Sequence, residues 1–229
     1  MRAKLIEWRE LYEGVRHFVF EAVGVERFAF TPGQFVSFHQ EVDGIAITRP
    51  YSIVSAPDGN RFDLCLNRVE DGHLSPHLFA MQPGDSVEMS GPLGFFTLRH
   101  PDRGQVFVAT GTGIAPFRSM LIDYLGKGGA TQIHLLYGVR FESHLMYRDD
   151  FERLSREHTN FQFWPTLSRP DDGWTGRTGH VQRHLDEAID GRDGIDVYIC
   201  GLKLMVDDVR GILKGQGFDR KRIIYEKYD

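Results

Sequence analysis

The stretch Arg49-Pro50-Tyr51-Ser52 combines residue types that could bind a flat, negatively charged ligand. The guanidinium group of arginine can form two parallel hydrogen bonds with phosphate oxygens, and an aromatic ring offers a flat packing face. Because side chains alternate along a strand, Arg49 and Tyr51 are expected on one face and Ser52 on the other, unless a bulge or twist re-aims it. The alternative is a solvated edge strand that carries its charge by chance.

A second stretch, VFVATGTGIAPFRS at 106–119, predicts a buried strand that runs through a glycine turn into a helix. Gly111 and Gly113 would let the backbone approach a ligand closely, and Pro116 suits the first turn of a helix. The free amides and the dipole of such a helix start attract phosphate. The full dinucleotide-binding fingerprint has a third glycine where Pro116 stands, so a plain strand-to-helix turn remains the alternative.

Cys200 lies in a third stretch of this kind, YICGLK at 198–203, near the end of another apolar run. The carboxyl ends of strands are where α/β sheets bind ligands. A lone cysteine is usually a small buried hydrophobic residue. Its position favours a functional role, although no partner that would make it a nucleophile is evident.

Two kinds of element must position these residues. In RFDLCLNRV (61–69) and SVEMS (86–90), apolar and polar residues alternate as in half-buried strands, and Pro and Gly turn signals recur between such runs. This pattern predicts an antiparallel β-barrel over residues 1–99.

From residue 100 onwards, apolar runs alternate with helix-like stretches. The runs cover 106–110, 133–139 and 197–200, and the helix-like stretches cover 116–126, 147–157, 178–189 and 203–214. The runs have the continuous apolar character of strands buried on both faces. We therefore predict a second domain over residues 100–229, built on a parallel α/β sheet.

Composition excludes several classes of function. The net charge of −5 argues against a nucleic-acid-binding protein, and no apolar run approaches the roughly 18 residues of a membrane span. An iron–sulfur cluster normally needs four cysteines, or two cysteines with two histidines, and no CxxC or HExxH pattern accompanies the two cysteines here. His180 and His184 lack a third ligand, so no metal site is expected. The first residues lack the apolar core of a signal peptide, which predicts a cytoplasmic protein.

Four segments, RPYS, GTGIAPF, CGLK and YEKYD, follow one another in this order. Together they resemble the ferredoxin–NADP⁺ reductase family over essentially the whole chain. The resemblance implies a flavin-binding barrel followed by a nucleotide-binding domain, with FAD and NADP(H) as cofactors. It further implies hydride transfer between the nicotinamide and the flavin.

The resemblance assigns flavin-binding roles to the first domain. It implies that Arg49, in the RPYS motif with Pro50, pairs with the FAD pyrophosphate. Tyr51 would pack against the isoalloxazine, and Ser52 would hydrogen-bond near its N5 atom. The EDGHLS segment (70–75) and its neighbourhood resemble a pyrophosphate-binding region, for which the implied contacts are Arg68, Gly72, Leu74 and Ser75. For EDGHLS alone, a helix N-cap is a compatible alternative.

In the second domain, the resemblance implies a pyridine-nucleotide loop that comprises Gly111, Thr112, Gly113 and Pro116. It implies that Cys200 and Gly201 lie beside the nicotinamide and that Glu226 belongs to the active site. A C-terminal tail would return to the flavin, with Tyr228 covering its face, although Asp229 follows that tyrosine here. A final edge strand with exposed polar side chains is the alternative for 223–228.

The choice between NADPH and NADH depends on two further segments. LSRP (167–170) and GRTG (176–179) resemble phosphate-reading segments, in which Ser168, Arg169 and Arg177 would bind the 2′-phosphate. Gly179 departs from the pattern, because NADPH-specific members often have a tyrosine there. We expect NADPH and keep NADH as the alternative.

The electron carrier implied by the family is a separate ferredoxin or flavodoxin. One alternative function is an NAD(P)H:flavin oxidoreductase that releases reduced flavin, and another is the NADH-dependent reductase component of an oxygenase. A rival from outside the enzymes is a non-catalytic electron-docking subunit, since a fold does not determine a function.

Overall fold

A computed structural model describes residues 1–42 and 44–228. Its contacts divide them into two compact units. The first unit comprises residues 1–98 together with 115–124, and the second comprises 99–114 together with 125–229. No helix within the described residues is long and apolar enough to cross a bilayer.

Six antiparallel strands form the sheet of the first unit. They are β1 (Arg2–Tyr12), β2 (Val15–Ala22), β3 (Phe35–Val42), β4 (Ile45–Ser52), β5 (Arg61–Asn67) and β6 (Ser86–Leu93), and helix α1 (Leu74–Ala80) follows β5. The strand order is β4-β3-β6-β1-β2-β5. A bridge between Ile53 and Leu64 links the chain at the end of β4 to β5, so the two outermost strands meet as in a barrel. The predicted antiparallel β fold is confirmed.

Aromatic rings fill the core of this sheet. Phe20 lies 5.1 Å from Phe38 and 5.8 Å from Phe62, measured between ring centroids, and all three are fully buried. Each buried ring stabilises the fold by about 1.5–3 kcal/mol. Because Phe38 faces Arg49 across the β3–β4 ladder, this packing also fixes the strand that carries the RPYS motif.

The second sheet is parallel. Its strands are β7 (Gln105–Thr110), β8 (Ile133–Val139), β9 (Phe161–Leu167), β10 (Arg177–Thr178), β11 (Asp196–Leu202) and β12 (Ile223–Tyr228). The helices are α2 (Ala115–Gly126), α3 (Arg148–Glu157), α4 (Leu185–Ile189) and α5 (Lys203–Gly215). The strand order β10-β9-β8-β7-β11-β12 confirms the predicted parallel α/β sheet.

The chain reverses its direction across this sheet at β7. From β7 it continues through β8 and β9 to β10 on one side, whereas β11 and β12 lie on the other side. The carboxyl ends of β7 and β11 therefore flank the topological switch point, which is the place where open α/β sheets bind ligands.

Two details of the second sheet differ from the sequence predictions. A single helix over 178–189 is wrong, because Gly179 has a φ of +91° and His180 is extended, so helical turns begin only at Val181. Strand β9 was not predicted, since Gln162 and Pro165 interrupt its apolar pattern. It nevertheless pairs along its whole length with β8.

Candidate functional site

The RPYS motif lies at the end of β4, opposite β3, in an uninterrupted antiparallel ladder. Arg49 is exposed, and its guanidinium group donates a hydrogen bond to its own neighbour, the Thr48 carbonyl oxygen, at 2.9 Å. Tyr51 is half-buried, with its ring 5.7 Å from that of Phe38. A cation and a fixed aromatic ring are thus presented from alternate residues of one strand.

Burial raises the pKa of Tyr51 to about 12, although the nearby charge of Arg49 opposes the rise. The phenol is therefore neutral at physiological pH, and the local charge is that of Arg49. Ser52 is buried and follows Tyr51 in an unbroken register, so the chain has no bulge at this point.

The backbone of Val69 makes the hydrogen bonds that hold the segment preceding α1. The amide of Gly72 donates to the Val69 carbonyl oxygen at 2.9 Å, and the Val69 amide donates to the Ser75 hydroxyl at 2.9 Å. Leu74 and Ser75 are both buried, while Arg68 is exposed and its guanidinium group lies 3.4 Å from the Glu70 carboxylate. The Ser75 hydroxyl in turn donates to the Val69 carbonyl oxygen at 3.4 Å, so it must give up that contact in order to donate to a phosphate.

In the second unit, the Gly111–Ile114 turn and the end of β11 are in van der Waals contact at the switch point. A Cβ atom on Gly113 would lie 2.6 Å from Cα of Gly201 and closer still to the Cys200 carbonyl oxygen. Gly111 has a φ of +53°, and the Tyr137 hydroxyl donates to its carbonyl oxygen at 3.2 Å. We call this place the β7–β11 crevice: residues 110–113 on one side and 200–202 on the other.

Thr110 closes the base of the β7–β11 crevice. Its hydroxyl accepts a hydrogen bond from the Leu202 amide at 3.3 Å. Gly201 has a φ of +140°, and a Cβ atom there would overlap the same hydroxyl. Gly113 in the turn and Gly201 in β11 are therefore required by the close approach of two backbones. Thr112, beside Gly113, is partly exposed.

Cys200 lies inside this crevice beside β12. Its register partner is Glu226, and Tyr228 follows two residues later on the same strand. Burial and the Glu226 carboxylate raise the pKa of the Cys200 thiol well above its ordinary value, and a hydrogen bond from Tyr228 only partly opposes this. Cys200 is thus a neutral thiol, which is unsuited to nucleophilic attack.

We expect both thiols to resist modification in the native protein. Cys200 is fully buried and Cys65 is 6% exposed, so a disulfide reagent such as dithionitrobenzoate should titrate neither within minutes at pH 8. After denaturation in guanidinium chloride, both should react. One rapid equivalent from the native protein would contradict the burial, and a Cys65→Ala variant would show which thiol is responsible.

The three residues expected to read a 2′-phosphate lie at or beyond the end of β9. The amides of Ser168 and Arg169 donate to the Val139 and Arg140 carbonyl oxygens, which carries the β8–β9 pairing past the strand. Arg177 lies on β10, opposite Thr166. Sequence reasoning identified these residues but neither of the two side chains that contact the Arg177 guanidinium group, namely Trp164 and Glu187.

The candidate residues divide between the two units. The first unit contains Arg49, Pro50, Tyr51, Ser52, Arg68, Gly72, Leu74, Ser75 and Pro116, and the second contains Gly111, Thr112, Gly113, Ser168, Arg169, Arg177, Cys200, Gly201, Glu226 and Tyr228. Across residues 1–42 and 44–228, no three His, Cys, Asp or Glu side chains are grouped as metal ligands.

These residues fit the expected cofactors chemically. Arg49 offers a solvent-facing guanidinium group for a pyrophosphate, and Tyr51 offers an aromatic ring for a flat heterocycle. In the β7–β11 crevice, Gly113 and Gly201 give an edge from which side chains are excluded, so backbone groups can approach a nucleotide closely.

Two domain families match the chain. The Oxidoreductase FAD-binding domain matches residues 2–98, and the Oxidoreductase NAD-binding domain matches residues 107–211. A solved structure, the ferredoxin NADP⁺ reductase from Neisseria gonorrhoeae with bound FAD and NADP, covers 99% of this chain and 98% of its own. Its TM-score is 0.85 at 24% identity, which shows the shared fold.

Two curated relatives span nearly all of the chain. Ferredoxin–NADP reductase B of Sorangium cellulosum is 41% identical over 99% of this chain and 97% of its own length. The toluate 1,2-dioxygenase electron transfer component of Pseudomonas putida is 30% identical over 99% of this chain and 67% of its own. Motifs, fold and relatives agree, and the chain is a flavoprotein reductase that belongs to the ferredoxin–NADP⁺ reductase family.

Proposed function

We propose that this chain transfers hydride between NADP(H) and bound FAD, and exchanges single electrons with a separate ferredoxin or flavodoxin. The observation that carries the proposal is the β7–β11 crevice, where Gly113, Cys200 and Gly201 meet at the switch point of the second sheet. The redox chemistry is supplied by the cofactors, while the protein binds and orients them.

In the first unit, we assign Arg49 to the FAD pyrophosphate and Tyr51 to the face of the isoalloxazine. The support is their common face on β4 and the exposure of the guanidinium group. Ser52 would bond near the flavin N5, and the segment containing Arg68, Gly72, Leu74 and Ser75 would contact the pyrophosphate.

In the second unit, we assign the Gly111–Gly113 turn to the nucleotide phosphates and Cys200 to the nicotinamide. Pro116, at the start of α2, is assigned to the same nucleotide loop, although its contacts group it with the first unit. The raised pKa keeps Cys200 in the thiol form, so it contacts the ring without forming an adduct. Glu226 would supply the charge beside that thiol, and Tyr228 would cover the flavin until nicotinamide displaces it.

The electron carrier is inferred from the curated relatives, and the cellular location from the state of the cysteines. A relative that is 41% identical over nearly its full length is a ferredoxin–NADP reductase, which favours ferredoxin or flavodoxin as the partner. Such carriers are usually docked weakly and steered by charge. A cytoplasmic location agrees with two buried cysteines that form no disulfide, because disulfides are rare in reducing compartments.

A second candidate is the NADH-dependent reductase component of an oxygenase. A relative of that type is 30% identical, although this chain spans only 67% of its length. The observation that favours it is the pairing of Arg177 with Glu187, because a carboxylate at this point opposes the binding of a 2′-phosphate.

Anaerobic mixing of the purified protein with NADPH or NADH tests these functions together. We expect a yellow protein whose flavin absorbance bleaches with either nucleotide and faster with NADPH, followed by reoxidation when ferredoxin is added. A protein purified without colour that reduces added flavin would instead be a flavin oxidoreductase. A flavin that neither nucleotide reduces would identify a non-catalytic docking subunit.

A further inference from the structure

We infer that Glu187 limits the preference for NADPH by competing with the nucleotide's 2′-phosphate for Arg177. This inference rests on the proposed use of NADP(H) and on the role that the family resemblance implies for Arg177, which is to bind the 2′-phosphate. It adds a specificity-determining residue that does not itself bind the nucleotide, and it predicts how the protein discriminates between NADPH and NADH.

The Arg177 guanidinium group is held on two sides. Its central carbon lies 3.8 Å from the centroid of the Trp164 ring, and its Nη2 atom lies 2.7 Å from the Glu187 carboxylate. Trp164 projects from β9, whereas Glu187 belongs to the first turn of α4. Stacking on the indole fixes the plane of the guanidinium group. The Glu187 carboxylate accepts a hydrogen bond from Nη2, one of the N–H groups that a phosphate would use.

The backbone of Arg177 is also fixed. Its carbonyl oxygen accepts a hydrogen bond from the Trp174 indole at 2.9 Å, and β10 pairs with the end of β9. At the next residue, the Thr178 carbonyl oxygen lies 3.0 Å from Nε2 of His184. Because the backbone of Arg177 and the plane of its guanidinium group are both held, the side chain cannot turn far from Glu187 to bind another anion. A phosphate must therefore displace the carboxylate or share the guanidinium group with it.

Exposure makes this competition possible. The side chain of Arg177 is 30% exposed and that of Glu187 is 58% exposed, so the pair is a surface ion pair. Such pairs are weak and are screened by salt. A phosphate that carries up to two charges can displace the carboxylate, but the displaced charge stays near the phosphate and repels it. NADH has no 2′-phosphate, so its affinity does not depend on the pair.

The test compares binding of 2′,5′-ADP and 5′-AMP to the FAD-loaded protein by titration calorimetry at low salt. In Glu187→Gln we expect the affinity for 2′,5′-ADP to rise about two- to fivefold, in line with the strength of exposed ion pairs. The affinity for 5′-AMP should stay at the wild-type value. The difference between wild type and variant should shrink at high salt.

Glu157→Gln is the matched control. Glu157 pairs with Arg153 at 2.8 Å on α3. The side chain of Glu157 is 51% exposed, close to the 58% of Glu187, and its replacement by glutamine changes the net charge by the same amount. A ratio of 2′,5′-ADP to 5′-AMP affinity that is unchanged in Glu187→Gln, or raised equally in Glu157→Gln, would overturn the inference.

Arg177→Ala separates this inference from the proposed function. We expect it to weaken 2′,5′-ADP binding and to leave 5′-AMP binding unchanged. If Arg177→Ala weakens 2′,5′-ADP but Glu187→Gln has no effect, the competition is wrong and the nucleotide assignment stands. If Arg177→Ala leaves 2′,5′-ADP binding at the wild-type level, the placement of Arg177 in the proposed function is itself wrong, and the inference falls with it.

Discussion

Arg49→Ala should purify with little FAD and should bind added FAD about 10- to 100-fold more weakly than the wild type. Charge-assisted, bidentate hydrogen bonds to phosphate are the strong ones, and alanine removes both together with the charge. The fold should be unaffected, because Arg49 is exposed and its guanidinium group donates its hydrogen bond to a backbone oxygen of its own neighbour, Thr48. The ratio of flavin to protein absorbance after purification measures the first effect, and titration of the apoprotein with FAD measures the second.

Two further variants make this test specific. Arg49→Lys keeps the charge but loses the planar fork, so we expect an intermediate affinity. Arg27→Ala removes another exposed arginine from the first unit, in the connection between β2 and β3, and should retain a full complement of FAD. Arg49→Ala with wild-type flavin content and affinity would remove Arg49 from the FAD site.

The local pattern of the RPYS motif predicts that Arg49 and Tyr51 share a face of β4, but the bulge or twist expected to turn Ser52 towards the same ligand has no counterpart in the unbroken register. Alternation alone placed Arg49 and Tyr51 on one face, and the charge of Arg49 does affect Tyr51. What alternation could not supply is the partner strand. The ladder with β3 and the packing of Tyr51 on Phe38 depend on contacts between residues far apart in sequence, which no local period encodes.

In the second half of the chain, the sequence predicts which segments are strands and which are helices, but not which strands lie side by side in the sheet. Glycines 111 and 113 and Cys200 were each identified from one short segment, yet nothing local indicates that β11 pairs directly with β7. The side chains around Arg177 were missed for a related reason. Trp164 lies on a strand whose apolar pattern is broken by Pro165, and Glu187 lies in a short helix preceded by a turn with positive φ at Gly179.

Gly113→Ala should have the second large effect, because the obstacle to its methyl group is backbone. The new Cβ atom would overlap the Cys200 carbonyl group and Cα of Gly201, and neither can rotate away as a side chain could. The turn and the end of β11 must therefore separate. Overpacking of this kind costs about 1–3 kcal/mol of stability. We also expect nucleotide-driven flavin reduction to slow at least about tenfold, since misplacement by an ångström is costly to catalysis.

Gly126→Ala distinguishes this steric effect from any generic effect of alanine. Gly126 ends α2, and a Cβ atom there would meet nothing within 4 Å. Alanine in a helix is favoured over glycine by about 0.5–1 kcal/mol, so this variant should be as stable as the wild type or more so. FAD content should stay at the wild-type level in both variants, because the residues proposed to bind the FAD pyrophosphate belong to the first unit. Equal melting temperatures and equal stopped-flow reduction rates for Gly113→Ala and Gly126→Ala would show that the β7–β11 crevice tolerates a side chain, and the close approach would then not be what selects glycine at position 113.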